Sequence, residues 1–529
     1  METSGIQHPH PTSPVEGEEF NSPALTSPVE GGGDPRNFEI ASLRINPDSL
    51  ALESFMERFV RYVFHSFVVI GSAALFLTSC AGTPAQPTKV VAPEPAPKFK
   101  LSASGLAATG MWKSNPILAD VNGDGHLDLV ATVRLGDGPH VWLGDGKGNW
   151  TDSSQGLRMV NSSCGGGVAI GDFNRDGRPD LALADHCSGV YVFLQQPDNS
   201  WKAVAQGLYP GFVDTVLGKQ DEATKNIFVG AEALAVGDID GDGLPEIVAA
   251  ASDQGGFAVY HSDRSGKNWK FVKGTGLPDL ENPEPEDEDN AGWSNHVMIH
   301  DVNKDGKLDL IAAYYKGPRV WLGDGKGHFK NASQGLPEPV VGGLYRGLAV
   351  DDVNEDGLLD LVAANDVNGP ELYLQQPDGS WKYTGDLMPS LMNGALGVAL
   401  GDFNQDGHLD LLVSGRKLKQ LGNNNGIYLL QGDGKGNFKE LEATNLPPQG
   451  LSVAWGVAVG DVNEDGLLDL AVATGGAVAG DTSKGRPMPK PAPRKSAQKQ
   501  NPKQEKGVSE SIHELELPRM QVWVNEGVK

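Results

Sequence analysis

The chain is predicted to be all-β, a seven-bladed β-propeller of four-stranded antiparallel blades, and three observations predict it. A nine-residue cassette, D-x-[N/D]-x-D-G-x-x-[D/E], recurs seven times between Asp120 and Asp469, with successive starts 52, 66, 63, 51, 50 and 59 residues apart. Each cassette lies between two short apolar runs and is followed by two more strand-like runs, so a period holds four strands. The seventh period lacks its fourth run, and a matching segment stands ahead of the first cassette.

The runs beside the cassettes, such as GVAIG before Asp172 and LALA after Asp180, are short, rich in Val and Ala and bounded by Gly, so each cassette reads as the loop of a β-hairpin. An EF-hand would need helical flanks and a carboxylate at position twelve, where the first cassette has Ala131. Third strands follow as HVWL, VYVFL, FAVYH, RVWL, ELYL, IYLL and QVWV. After compact turns such as GDGKGN or QQPDG, fourth strands open on Trp150, Trp201, Trp269, Phe329, Trp381 and Phe438. Residues Lys98 to Lys100, followed by LSASGL, match Phe329-Lys330 followed by NASQGL. A strand at about 98–101 is therefore expected to complete blade seven and cover its open edge.

Oxygen-bearing side chains fall at cassette positions one, three, five and nine, Gly at six permits a sharp turn, and position seven can offer its carbonyl. The predicted ligand sets are Asp120, Asn122, Asp124, His126 and Asp128; Asp172, Asn174, Asp176, Arg178 and Asp180; and Asp238, Asp240, Asp242, Leu244 and Glu246. The remaining four are Asp301, Asn303, Asp305, Lys307 and Asp309; Asp352, Asn354, Asp356, Leu358 and Asp360; Asp402, Asn404, Asp406, His408 and Asp410; and Asp461, Asn463, Asp465, Leu467 and Asp469. Two carboxylates about 4 Å apart repel by roughly 4 kcal/mol at an effective dielectric of ~20, so such loops call for a counter-ion. Up to seven structural Ca²⁺ ions are expected, because calcium accepts six to eight oxygens in flexible geometry.

The cassettes and their flanks resemble the FG-GAP and VCBS repeats of integrin α-subunit propellers and bacterial surface proteins, over residues 98 to 529. The literal Phe-Gly and Gly-Ala-Pro triplets are absent, which is closer to the bacterial VCBS-type variant. The resemblance implies calcium in the cassettes and adhesion or ligand binding, without naming the ligand.

The formal net charge is -26, and 22 carboxylates sit at ligand positions, so the acidity is largely a property of the cassettes. Its sign disfavours nucleic acid as a partner. From Met56 the chain reads MERFVRYVFHSFVVIGSAALFLTSCAG, which resembles a lipoprotein signal peptide over 56–79, with Cys80 the residue to be acylated. Ala81 follows Cys80, and by the family's sorting rule this points to the outer membrane of a Gram-negative cell. The expected location is thus the cell envelope, lipid-anchored, periplasmic or surface-exposed. Residues 1–55, rich in Pro, Glu and Ser with TSPVEG at Thr12 and Thr26, read as a disordered extension or a mis-assigned start ahead of Met56. Residues 80–97 form a Pro-rich tether.

Cys164 and Cys187 flank the second cassette almost symmetrically, which predicts a disulfide across the open end of its hairpin. The large insertions, 209–230, LENPEPEDEDN from Leu280 and a basic segment at about 476–518 expected to be disordered, all fall on the face opposite the cassettes. Ligand contacts are expected on that face. The candidates are Trp112, Asp185, His186, Trp293, His296, Tyr314, Tyr315, Tyr345, Arg346, Asn365, Asp366 and Trp455. Aromatics beside amides and carboxylates suit a glycan or protein ligand. No nucleophile, catalytic zinc or phosphate-loop motif is present. The expected function is a calcium-stabilised, lipid-anchored recognition module; the alternatives are a polysaccharide lyase or hydrolase on a propeller scaffold and a scaffold subunit of an envelope complex. No motif encodes an oligomeric state.

Overall fold

The structure is a computed structural model that describes residues 95–159, 163–208, 230–251, 255–279, 292–314, 317–336, 344–388, 394–416, 425–475, 515 and 517–528. The signal segment, Cys80, Tyr315, nearly all of the tether and nearly all of the three insertions lie outside the described residues. The described chain is all-β: seven blades of four antiparallel strands arranged in a ring.

Blade one comprises Ile117–Ala119, Asp128–Thr132, Pro139–Gly144 and Trp150–Asp152, from the channel outward. Blades two to six repeat this order from Ser163–Gly171, Ala231–Gly237, Ser294–His300, Tyr345–Asp351 and Gly394–Gly401 as inner strands. Blade seven takes Ala454–Gly460, Asp469–Thr474 and Met520–Val528 from one end of the chain and Pro97–Leu101 from the other. The expected latch is present, with Phe99 paired to Asn525 and Leu101 to Trp523. Phe99 is buried and meets the Phe403 ring of blade six edge-on at 6.3 Å, so the latch is fixed by packing as well as by its ladder.

The second strand of each blade explains the apolar runs after the cassettes. Asp180–Asp185, Asp309–Tyr314 and Asp360–Asn365 are buried along their whole length, because each is covered by a blade on both faces. The hydrophobic clusters accordingly lie between blades. Val130 and Val141 of blade one pack with Leu181, Leu183 and Phe193 of blade two, and Val248 and Ala250 of blade three pack with Leu310 and Ala312 of blade four. Each fully buried Val or Leu contributes roughly 1.5–3 kcal/mol, so the ring is held chiefly by these seams.

One addition was not read from the sequence. Arg134–Gly136, in the loop after the second strand of blade one, pairs with Cys164 and Ser163 and gives blade two a fifth strand. This crossing ties blades one and two together at the end remote from the cassettes.

Candidate functional site

All seven cassettes adopt the same turn. The first aspartate accepts the N–H of the position-six glycine at 2.8–2.9 Å, position three accepts the N–H of position five, and position five accepts that of position seven. The glycine has φ between 81° and 91° in every copy, as the turn requires.

Position four is left-handed as well, which sequence reading missed: Arg175, Lys304, Glu355, Gln405 and Glu464 have φ of 56–60°, and the other two copies carry Gly123 and Gly241. The strain of about 1–2 kcal/mol per residue is offset by what these side chains reach. Arg175 donates to the carbonyls of Gly243 and Asp242 in the next cassette at 2.7 and 2.8 Å. Lys304 donates to Gly357 O at 2.6 Å and Gln405 to Gly466 O at 3.1 Å. Glu355 and Glu464 meet the imidazoles of His408 and His126 in the following cassettes. Five of the seven junctions are thereby linked cassette to cassette.

The position-nine carboxylate is the buried member of each set. In cassette two, Asp180 accepts the N–H of Phe173 at 3.0 Å and of Gln195 at 2.8 Å, and in cassette seven Asp469 likewise accepts from Val462 and Asn525. Burial first, then the neighbouring Asp176 and Asp172 charges, push Asp180 up to about 7. Asp360 and Asp410 are also raised to about 7, and Asp128 and Asp469 to about 6, burial again leading. A carboxylate that is costly to ionise among like charges is what a bound cation would relieve. The donor set is oxygen throughout, which fits a hard cation, and most of these carboxylate oxygens accept one N–H and keep a lone pair, with exceptions at Asp120 Oδ1, Asp176 Oδ2 and Asp406 Oδ2. In cassette three, oxygens of Asp238, Asp240 and Glu246 lie within 4.8 Å of one another.

At the other end of the inner strands is a cavity of about 400 Å³. A β-bulge builds its rim. Register shifts between Ala231 and Ala233, Tyr345 and Gly347, Ala395 and Gly397, and Ala454 and Gly456 leave Glu232, Arg346, Leu396 and Trp455 as the extra residues. In blades two and four the shift spans Gly166-Gly167 and Asn295-His296. Each bulge falls six residues ahead of the first cassette aspartate, and with Ser114 of blade one these residues form a ring. Bulges leave a residue outside the ladder and re-aim its side chain, here toward the channel. One position further on, Gly456 lets the strands close up, since a Cβ there would lie 2.5 Å from Asn115 Cα. His296 is the large exception at that neck position; its Nδ1 accepts the Leu348 N–H at 3.0 Å, and burial lowers its pKa to about 4, so the ring is neutral with its proton on Nε2.

The rim is polar and tightly paired. Glu232 meets Lys113 at 2.7 Å, His186 Nδ1 at 2.7 Å and Arg134 at 3.2 Å. Burial alone would raise this carboxyl, but His186, Lys113 and Arg134 override it and hold it well below the usual range. Burial also lowers the Lys113 ammonium despite its partner. Arg346 bonds Asn295 at 3.0 Å and Asp366 at 3.3 Å, and Trp455 lies between the cations, 5.5 Å from Lys113 and 6.0 Å from Arg346.

Of the candidate ligand residues, His296, Arg346 and Trp455 line the cavity, while His186 and Asp366 support it through Glu232 and Arg346. Trp112 is instead buried against His140 and Trp142 at 5.2 and 5.3 Å, and Tyr314 against Phe257 and Trp321. Tyr345 donates to Glu371 at 2.7 Å inside the blade, and Asn365 donates to the same carboxylate at 3.2 Å. Asp185 is spent on the Cys164 and Cys187 N–H groups, and Trp293 is half-buried ahead of the fourth inner strand. Cys164 and Cys187 are joined, with Cα atoms 5.6 Å apart. Lys113, Glu232 and Asn295 were missed, although the place of Glu232 and Asn295, six residues ahead of their cassettes, was readable.

The FG-GAP-like repeat family matches residues 120–183, 301–363, 352–413 and 421–472, and the FG-GAP repeat matches 230–262, so every cassette falls within a match. The chain is 23% identical over 330 residues to the T-cell immunomodulatory protein homolog of Plasmodium falciparum (isolate 3D7), covering 48% of this chain and 44% of that protein. It is 25% identical over 341 residues to cartilage acidic protein 1 of Mus musculus, covering 59% and 49%. The chain thus spans about half the length of these relatives. Among solved structures, BBS1N in complex with ARL6DN aligns with a TM-score of 0.44 at 13% identity, over 70% of this chain and 91% of that one. With the repeat matched at each cassette and seven four-stranded blades closed into a ring, the chain belongs to the FG-GAP repeat β-propellers.

Proposed function

We propose that the protein is a calcium-stabilised recognition module held at the cell envelope by a lipid on Cys80, and that it binds a glycan or protein at the bulge-built rim. The observation that carries this reading is the ring itself. In six blades a bulge turns residues out of the inner ladder, and Glu232, Asn295, Arg346 and Trp455 from four of these bulges line one cavity with Ser114, which precedes the inner strand of blade one. Buried polar groups positioned beside an aromatic face suit a ligand with hydroxyl and amide groups. The cassettes stand at the far ends of the same strands, roughly 20 Å away at about 3.3 Å per residue, so calcium would brace the scaffold rather than touch the ligand.

The test is to pass the calcium-loaded protein over a panel of polysaccharides and record retention and released oligosaccharide together. Retention lost in Trp455→Ala and Arg346→Ala, with no product, supports a binding module. Release of product assigns an enzyme instead. Neither retention nor product, with capture of an envelope protein, moves the ligand class to protein.

A further inference from the structure

Cassette three departs from its six sisters in three places that meet in space. It alone has aspartate at position three, Asp240, and glutamate at position nine, Glu246. It alone is followed, one residue before the end of the third strand, by a histidine: His261 stands where the other blades have Leu143, Leu194, Leu322, Leu374, Gln431 and Val524.

The sister blades supply the control. In each, the second oxygen of the position-nine carboxylate accepts a backbone N–H from the end of the third strand, at 2.7–3.1 Å from Gly144, Gln195, Gly323, Gln375, Gly432 or Asn525. In cassette three, Glu246 is one methylene longer, and its Oε1 lies 2.8 Å from His261 Nδ1 while Oε2 keeps the Ile239 N–H at 3.0 Å. The same Nδ1 is 3.8 Å from Asp240 Oδ2, and Asp240, Asp242 and His261 offer ligand atoms within 4.8 Å of one another. Two donors each about 2.1 Å from one ion stand about 3.0 Å apart at right angles and about 3.4 Å apart in a tetrahedron, and His261 stands 3.8 Å from Asp240 and, through Nε2, 3.9 Å from Asp242, so a shift of about half an ångström in these half-exposed side chains closes the set.

We propose that cassette three is a mixed imidazole–carboxylate site that takes a divalent transition ion of the zinc type in preference to calcium, with His261, Asp240 and Asp242 as ligands and Glu246 orienting the imidazole through Nδ1. Calcium is a hard ion served by oxygens, whereas imidazole nitrogen favours zinc and its neighbours in the series. The inference rests on the reading of the cassettes as cation sites, but it concerns one cassette and a different ion.

The test is isothermal titration of zinc into the full chain held in excess calcium, repeated with His261→Leu, the residue four sister blades carry, and with Glu246→Asp, which restores the common residue at position nine. The expected result is one zinc equivalent that calcium does not displace, that His261→Leu loses and that Glu246→Asp weakens roughly 10–100-fold, with the calcium-dependent rise in melting temperature retained. Cobalt in place of zinc should give a visible absorption band that His261→Leu abolishes. No zinc equivalent, or an equivalent that survives in His261→Leu, overturns the proposal while leaving calcium in the cassettes untouched. Loss of the calcium-dependent rise in the unmodified protein would instead refute the general cation reading.

Discussion

Replacing Asp410 by Asn isolates what calcium does for one blade. In cassette six both Asp410 oxygens accept buried N–H groups, from Phe403 and Gly432 at 3.1 Å each. The amide keeps one acceptor and turns a nitrogen on the other donor, so one N–H is orphaned at a cost of about 1–3 kcal/mol. Against this, burial and then the Asp406 and Asp402 charges raise Asp410 from 3.8 to about 7 when no cation is present. At ~1.36 kcal/mol per unit the ionised side chain then costs up to about 4 kcal/mol at pH 8, and the neutral amide removes that cost. In chelator the substitution should therefore be near neutral or mildly stabilising. In calcium at about 100 times its dissociation constant, the wild type gains about 2.7 kcal/mol of ion binding that the variant forgoes, so the substitution is less favourable there than in chelator by that amount. At ~2.1 cal/mol/K per residue over roughly 430 residues, that difference of about 2.7 kcal/mol lowers the variant's melting temperature relative to wild type by about 3 °C more in calcium than in chelator. Scanning calorimetry of both proteins at pH 8, in calcium and in chelator, measures the difference. Equal losses in the two buffers would refute the assignment of calcium to this loop.

Without calcium, Asp180, Asp360 and Asp410 hold their protons up to about pH 7 in the folded chain but only to about 4 when unfolded. Their contribution is full below about pH 4 and lost as pH rises to about 7, so chelated protein should melt higher at pH 5 than at pH 8, with the order reversed in calcium. Phe99→Ala should cost about 3–5 kcal/mol by opening a cavity at the latch, seen as a lower denaturant midpoint. Glu232→Ala leaves Lys113 and Arg134 without their counter-charge and should cost about 3–5 kcal/mol; Glu232→Ala combined with Lys113→Met should recover part of the loss. Cys164→Ser should destabilise by about 3 kcal/mol, as estimated for a loop of this length, and mass mapping of non-reduced peptides should show the wild-type pair bonded.

The ring, the hairpin cassettes and the latch were legible because each is a local pattern repeated at a near-constant interval, and the Lys98 to Lys100 segment could be matched to its internal copy. The rim was legible only in part. Trp112 and Tyr314 looked like ligand aromatics, but whether an aromatic at a strand end faces the channel or the next blade depends on a neighbour over twenty residues away, such as Trp142 for Trp112. Glu232 was passed over because its partners, Lys113, Arg134 and His186, come from two other blades. The strand Arg134–Gly136 escaped notice because an RLG tripeptide has no periodicity to reveal pairing.

The side chains at cassette position four also divide the ring. Where Gly123 and Gly241 replace them, the reach to the next cassette is missing, so the links run from blade two to three and from blade four through five, six and seven to one. The position-four links thus form two runs, one of two cassettes and one of five, while at the two glycine junctions the following blade reaches back instead, Gln195 Nε2 donating to Val121 O at 2.7 Å and the Gly327 N–H to Ile239 O at 3.0 Å. The five-cassette run spans the latch, so the seam where the two ends of the chain meet is crossed by a side-chain link, from Glu464 to His126, as well as by its strand ladder.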